Sequence, residues 1–485
     1  MNSLINKHSF LSALTCQTLS WYERRTPKVP FTPGEELRIL EGQQVGELAR
    51  AQFPNGVLID EKDPVAAAER TKILMADPKV SVIFEGAFLA EPFVTRVDAL
   101  VRSGTSWAVI EVKSARHKDD EIKADHIDDM AYTSMVVKMA GVSIASIELM
   151  RLSDDWTGRI GEPFKRVDAS SMVLERVNSF SDSALFVASQ ILSTDRPIPK
   201  LLTSCKNCDF FASECLGKGV EYPIVEIPRI SEKKLLELTD LNVKDVREIP
   251  EDFTLTPSQN GMVETLRSGR LQVSKPKLSK LLSKLSWPCY YLDFETAMSA
   301  LPLWEGIPPF EQVLTQYSLH ICKGINDEPE HREFLAPTTH DARRELSERL
   351  ISDLGPHGSI VVYSSFEKTQ IQALAKLFPD LASRLLCLCD RLFDLEVIFK
   401  EAVSHPGFRG RTSIKVTLPT LVPEMSYSDL LIGGGDTAVA AFVRMVRGWC
   451  SDEENIQLRE ALLTYCKQDT FAMVKLHRMV DQMAA

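Results

Sequence analysis

The sequence predicts an α/β protein of two separate units joined by a small helical segment. Three observations carry this. Three β-rich runs, VSVIFEGAFLA from Val80, FVTRVDALVRSG from Phe93 and WAVIEVKSA from Trp107, are separated by Pro92 and by Ser103-Gly104-Thr105-Ser106, the pattern of an antiparallel meander. A second set of strands, CYYLDFE, LTQYSLHIC and SIVVYSS, begins after Trp287 and is followed by helical periodicity. Between about 223 and 285 lie short charged helices with no strong strand. At 485 residues the chain exceeds one ordinary domain. The expected division is 1–222, 223–285 and 286–485.

In chain order, residues from about 7 to 50 read as helix, interrupted by the proline-containing loop Thr26–Pro30. The meander is followed by a helix from Asp125 to Gly141, a strand SIASIELMRL and a helix from Met172 to Leu192. The segment 223–285 has a helix-turn-helix rhythm that suits a spacer or a small nucleic-acid-binding hairpin. In the last unit helices are expected at Asp341–Leu354, Phe366–Leu377, Leu392–Val403, Thr437–Gly448 and Glu454–Ala484. Gly433 to Gly435 form a loop rather than a phosphate cradle, since no strand feeds it and no Lys-Ser/Thr follows.

Hydrophobic residues make up 44% and charged residues 25%, values of a globular protein in water. No apolar run reaches membrane-spanning length and the start lacks a signal-peptide pattern, so a cytoplasmic protein without a membrane partner is expected. The net charge of −11 argues against nonspecific coating of nucleic acid, though not against an enzyme acting on it. Basic stretches occur at Arg24-Arg25, Lys275–Lys284 and Arg409–Lys415. Of ten cysteines, Cys289, Cys322, Cys387, Cys389, Cys450 and Cys466 are scattered and read as buried small hydrophobes.

Asp293 and Glu295 lie one residue apart in the apolar run Tyr290–Thr296, so both side chains leave one face of a strand. Tyr465 and Asp469 are four apart on a helix and share a face. Glu367 opens a helix just after a strand and is the choice for a fourth acid, with Asp394 as its rival. Such a set can hold two divalent ions, Mg²⁺ or Mn²⁺, while the tyrosine orients the attacking water. These residues resemble the DEDD exonuclease superfamily, tyrosine subtype, on a ribonuclease-H-like fold: D-x-E on the first strand, an acid after a later strand, Y-x3-D on the last helix. Lys415 resembles a lysine found before the last helices in related exonucleases and would touch phosphate or the metal site.

In the first unit Asp98 lies on the second strand of the meander, and Glu111 and Lys113 share a face of the third. Two carboxylates can ligate Mg²⁺ and the lysine can activate water or offset charge on phosphate. With the helical Glu47, this order resembles the PD-(D/E)xK restriction-endonuclease-like core of RecB-type nucleases. Two positions depart from that pattern: Gly46 stands near the family's histidine, and Thr133, beside Tyr132, near its later glutamine. Cys205-x2-Cys208-x6-Cys215 brings three thiolates together and needs a fourth ligand, with no Cys or His close by. An N-terminal cysteine plus such a cluster resembles the iron–sulfur subclass of RecB-type nucleases, which implies Cys16 as the fourth ligand and a four-iron four-sulfur cluster, with zinc as the alternative. The whole order resembles a bacterial family that fuses these two nuclease-like domains. It implies a metal-dependent nuclease acting on DNA with free ends or single-stranded character, in repair or defence. The alternatives are an RNA-directed exonuclease, or a nucleic-acid-binding scaffold whose first site has decayed.

Overall fold

The computed structural model describes residues 4–27, 29–117 and 121–485; Lys28 of the predicted proline loop lies outside them. The architecture is mixed α/β, with two mixed sheets. The chain forms two compact units, Met1–Lys200 with Ser299–Glu311, and Leu201–Met298 with Gln312–Ala485. The division therefore falls at 200/201 rather than 222/223. The reason is packing: Cys205 and Phe211 join one apolar cluster with Ile224, Leu235, Leu238 and Leu266.

The first unit is built on six strands in sequence order: β1 (Val57–Leu58), β2 (Val82–Ala90), β3 (Phe93–Ser103), β4 (Ser106–His117), β5 (Ile144–Ser153) and β6 (Phe164–Asp168). The pairs β2–β3 and β3–β4 are antiparallel, as the meander predicts, while β4–β5 is parallel. That parallel step needs a crossover, and the helix Ala124–Met139 provides it. On one face Phe10, Phe93, Tyr132 and Phe180 are fully buried, with ring centroids of Phe10 at 5.9, 5.1 and 5.3 Å from the other three. Truncating Phe10 to alanine would cost about 3–5 kcal/mol. The opposite face packs Val45 and Ala49 of the helix Pro33–Arg50 on Phe84, Ala99 and Ile110. That helix starts at a capping box, Thr32 with Glu35, behind which Pro33 sits at the first turn.

In the second unit the helices Glu232–Asp240, Pro257–Ser268 and Lys275–Leu282 precede the main sheet, with a short strand β7 (Gln272–Val273) among them. The sheet contains β8 (Cys289–Ala297), β9 (Val313–Cys322), β10 (Glu330–Leu335), β11 (Ser359–Val362) and β12 (Leu392–Asp394), in the spatial order β10-β9-β8-β11-β12. β8 is central, antiparallel to β9 and parallel to β11. A 33-residue helix, Asp452–Ala484, opens with a Ser451–Glu454 capping box and packs on β8 and β9. Its buried residues, Leu462, Tyr465, Cys466, Asp469, Met473, Leu476 and Val480, recur at helical spacing.

One predicted helix is corrected. Residues 392–403 are not one helix: Leu392–Asp394 pairs with β11, only Glu396–Glu401 is helical, and Val403–Ser404 forms β13 against β7. The run LFDLEVIF has apolar residues that fit either period, and the free edge of β11 decides for strand. Cys387 is a second correction. It is exposed, and Cys389 and Cys450 are half-buried, whereas Cys289, Cys322 and Cys466 are buried as expected. No helix among the described residues is long and apolar enough to cross a membrane.

Candidate metal centre and a second acidic cluster

Strand alternation sends Tyr291, Asp293 and Glu295 to the face of β8 covered by the long helix. Tyr291 is pinned there by a 2.7 Å hydrogen bond between its hydroxyl and His477 Nδ1. Two to three turns earlier on the helix, Tyr465, Cys466 and Asp469 meet the two strand acids; Cys466 Sγ lies 3.4 Å from Asp293 Oδ2. Asp293, Glu295 and Asp469 each offer an oxygen within 4.8 Å of the other two. Among the described residues this is the one group of three or more acids, histidines or cysteines so assembled.

Glu367 sits in the first turn of Phe366–Leu377, directly after β11, and is buried. It is not within that 4.8 Å set, yet its charge acts on both Asp293 and Glu295. Its Oε2 is buried without a hydrogen-bond partner. Asp394 ends β12 and accepts a 2.9 Å bond from Glu396 N–H. It raises Glu367 by its charge, so the two rival positions are neighbours rather than alternatives.

The electrostatics follow from burial. Asp293 is driven well above the carboxylate range by desolvation, then by Asp469, Glu295 and Glu367. Glu295 is pushed to about 8 by burial and Asp469, and Glu367 to about 7 by burial. Asp469 rises only to about 6, because the Tyr427 hydroxyl, Lys415 and Tyr465 offset its desolvation. The Lys415 ammonium lies over the Tyr465 and Tyr427 rings, 5.5 and 5.9 Å from their centroids. The donor set is all oxygen, concentrated and short of positive charge, with one orphaned carboxylate oxygen beside it. It fits a hard divalent cation.

The first unit arranges its acids differently. Asp98 Oδ2 accepts a 2.7 Å bond from Val112 N–H, and burial, then Glu111, raise Asp98 to about 8. Asp98 and Glu47 line one cavity of about 460 Å³ together with Glu85. Glu111 belongs to an ion-pair ring. Its Oε1 lies 2.9 Å from Lys7 Nζ and 3.0 Å from Lys113 Nζ, and Lys113 also pairs with Asp129. Burial would lower Lys113, but Glu111 and Asp129 outweigh it and hold its pKa above the usual range.

Five residues here were not found from the sequence. Lys7 is 104 positions from Glu111 and reaches it because Ile5 bridges to Phe93, with Val94 N–H donating to Ile5 O. Asp129 pairs with Lys113, whereas Thr133 is fully buried with its hydroxyl 3.4 Å from that of Thr95. Glu85 falls opposite Asp98, between the paired positions Phe84–Ala99 and Gly86–Val97, and has a left-handed φ of 56°. An acid in an apolar strand was its available signal, the same one that singled out Asp293. Tyr427 and Gln468 carry no sequence signal. Of the cysteines, Cys16 breaks two helices of the first unit, between Lys7–Thr15 and Gln17–Glu23. Cys205, Cys208 and Cys215 lie on consecutive turns of the second unit, where Leu202 N–H points at Cys205 Sγ at 3.4 Å.

Residues 290–413 match the model of a domain of unknown function, DUF2779. That stretch holds Asp293, Glu295, Glu367 and Asp394 and stops short of Tyr427, Tyr465 and Asp469. The chain is similar to an uncharacterized protein of Mycoplasma genitalium, 26% identical over 220 residues, 41% of this chain and 33% of the relative. A homologue of it in Mycoplasma pneumoniae is 25% identical over 228 residues (42% and 34%), and an uncharacterized protein of Ureaplasma parvum 24% over 224 (42% and 32%). The match thus spans about a third of the length of these relatives.

Proposed function

We propose that the chain is a metal-dependent nuclease whose second unit hydrolyses phosphodiesters from a free 3′ end, in the manner of the DEDD exonucleases on a ribonuclease-H-like fold. The observation that carries this is the convergence of Asp293, Glu295 and Asp469 within 4.8 Å where the long helix packs on β8. Three carboxylates so close, if all were ionised, would repel by roughly 3 kcal/mol per pair at an effective dielectric of 20. A fold bears that cost where a cation offsets it. Asp293, Glu295 and Asp469 would hold Mg²⁺ or Mn²⁺, with Glu367 completing the set. Bound divalent ions supply an activated water and neutralise charge on the leaving oxygen. Burial, then the nearby Asp469 charge, raises Tyr465 above the usual phenol range, so it stays a hydrogen-bond donor able to orient that water. Lys415 is placed to meet a phosphate.

For the first unit we propose a RecB-type PD-(D/E)xK domain, with Asp98, Glu111, Lys113 and Glu47 as its site. In the second unit, Cys205, Cys208 and Cys215 would carry an iron–sulfur cluster or zinc. A second reading of the first site, a nucleic-acid-binding platform, is favoured by one observation: Glu111 already has two lysine partners. DNA is the proposed substrate, RNA the alternative.

The test is degradation of end-labelled DNA and RNA with Mg²⁺ or Mn²⁺ by wild type, Glu111→Ala and Asp293→Ala. Loss of exonuclease products in Asp293→Ala is the expected result. Unchanged cleavage in both variants would sink the two-site reading. Loss confined to Asp293→Ala makes the first unit a platform. An anaerobic preparation that is brown and absorbs near 400 nm supports iron–sulfur, whereas a colourless zinc-loaded one removes it.

A further inference from the structure

The segment after the helix Ile414–Leu421 returns across the acid pocket without regular structure, and one of its side chains contacts an acid. The Tyr427 hydroxyl donates to Asp469 Oδ1. The contact is pinned on three sides. Gln468 Nε2 donates to the carbonyl of Ser426 at 2.8 Å, tying the segment to the helix that carries Asp469. The Tyr427 ring meets the Tyr465 ring edge-on, with centroids 6.2 Å apart. The Lys415 ammonium lies over both rings and donates to Gly433 O at 3.3 Å, at the far end of the segment.

We infer that Tyr427 is a positioning residue of the centre, holding Asp469 by Oδ1 so that Oδ2 stays available to a divalent cation. The inference rests on the reading of Asp293, Glu295 and Asp469 as a cation site. A carboxylate on a long helix can turn about its two side-chain torsions, and in a low-dielectric pocket it would turn to any other donor. A phenol is a suitable partner: it gives one strong hydrogen bond and does not compete as a positive charge. Hydrogen-bonded partners behind metal-ligating side chains typically contribute 10–100-fold to metal affinity. Tyr465 also hydrogen-bonds Asp469 and is the residue proposed to orient water, so Tyr427 is the partner assigned to positioning alone.

The test is Mn²⁺ binding without substrate, read from the electron paramagnetic resonance of free Mn²⁺. It is done in the Glu111→Ala background so that only the second unit is read. Tyr427→Phe keeps the ring and removes the hydroxyl; it is expected to weaken Mn²⁺ binding about 10-fold. In nuclease assays the Mn²⁺ half-saturation rises by the same factor while the rate at saturating Mn²⁺ is kept. Gln468→Ala, which releases the segment at Ser426, shifts Mn²⁺ binding in the same direction by less, and serves if Tyr427→Phe does not fold. Unchanged Mn²⁺ affinity in these variants, with a wild type that binds, overturns the role of Tyr427 alone. A lower saturated rate at unchanged half-saturation also overturns it. A Glu111→Ala protein that binds no Mn²⁺, or binds it equally well after Asp293→Asn, overturns the cation site and this inference together.

Discussion

Both units bury carboxylates on the strands of a mixed sheet, yet they balance the charge in opposite ways. In the first, Glu111 and Asp129 are met by Lys7 and Lys113, two acids against two ammonium groups in one ring of ion pairs. In the second, among the described residues, Lys415 is the cation whose charge acts on Glu295 and Asp469, and it sits over tyrosine rings. A cluster that carries its own cations is a stable structural element whatever else it does. A cluster that lacks them takes up protons or, on the proposed reading, a cation from solution. Two acid-rich strands that look alike in the sequence thus become chemically different sites.

The largest effect that tests this contrast is on hydrolysis. Asp293→Asn removes one of three close carboxylates and, on the proposed reading, is expected to lower a metal-dependent rate at least ~10³-fold, several kcal/mol of transition-state stabilisation. Retention of the rate on end-labelled substrate would break the comparison at its root. Next come stabilities of opposite sign, measured by thermal unfolding in EDTA. Glu111→Gln leaves the half-buried Lys7 and Lys113 ammonium groups short of a charged partner and should destabilise by ~2 kcal/mol. Glu295→Gln relieves like-charge crowding and should stabilise the metal-free protein by ~1–2 kcal/mol. Equal signs would show that the two clusters are balanced alike.

A smaller effect concerns pH. Burial lowers His320 to about 3 and His331 and His477 to about 4, all within the second unit. In the unfolded chain they titrate near 6.5, so below that pH the unfolded state binds more protons than the folded one. The stability they contribute is complete above 6.5 and is lost progressively as pH falls from 6.5 toward 4. Because the raised Asp293, Glu295 and Glu367 shift stability the other way in this window, the histidine contribution is read as a difference: from pH 7.5 to 5.5 the urea midpoint of His320→Asn should rise relative to wild type, and an equal change in both proteins contradicts it. The smallest effect is Lys7→Met. Its side chain is 30% exposed, so solvent screens the pair with Glu111 and the cost is expected within ~1 kcal/mol in the same unfolding assay.

Much of this was legible in local pattern. The meander, the crossover helix, the strand carrying Asp293 and Glu295 and the helix carrying Tyr465 and Asp469 all announce themselves by period 2 or 3.6. Residues 392–394 did not, because a three-residue strand is defined by the neighbour it pairs with and not by its own sequence. Glu85 was legible and overlooked: an acid in an apolar strand, held at a φ of 56° opposite Asp98. Lys7 and Tyr427 were not legible, since each acts on a residue more than 40 positions away.

The amino-acid sequence by itself determined which residues could carry chemistry: the D-x-E strand, the Y-x3-D helix, the D…E-x-K meander and the C-x2-C-x6-C turns. Spacing along one strand or one helix sets which side chains share a face, and that is a local property. Only the tertiary structure decided which charges are answered from within the chain. That depends on long-range approach, Lys7 to Glu111 in one unit and Tyr427 to Asp469 in the other, brought about by packing of segments whose own sequences carry no mark of it.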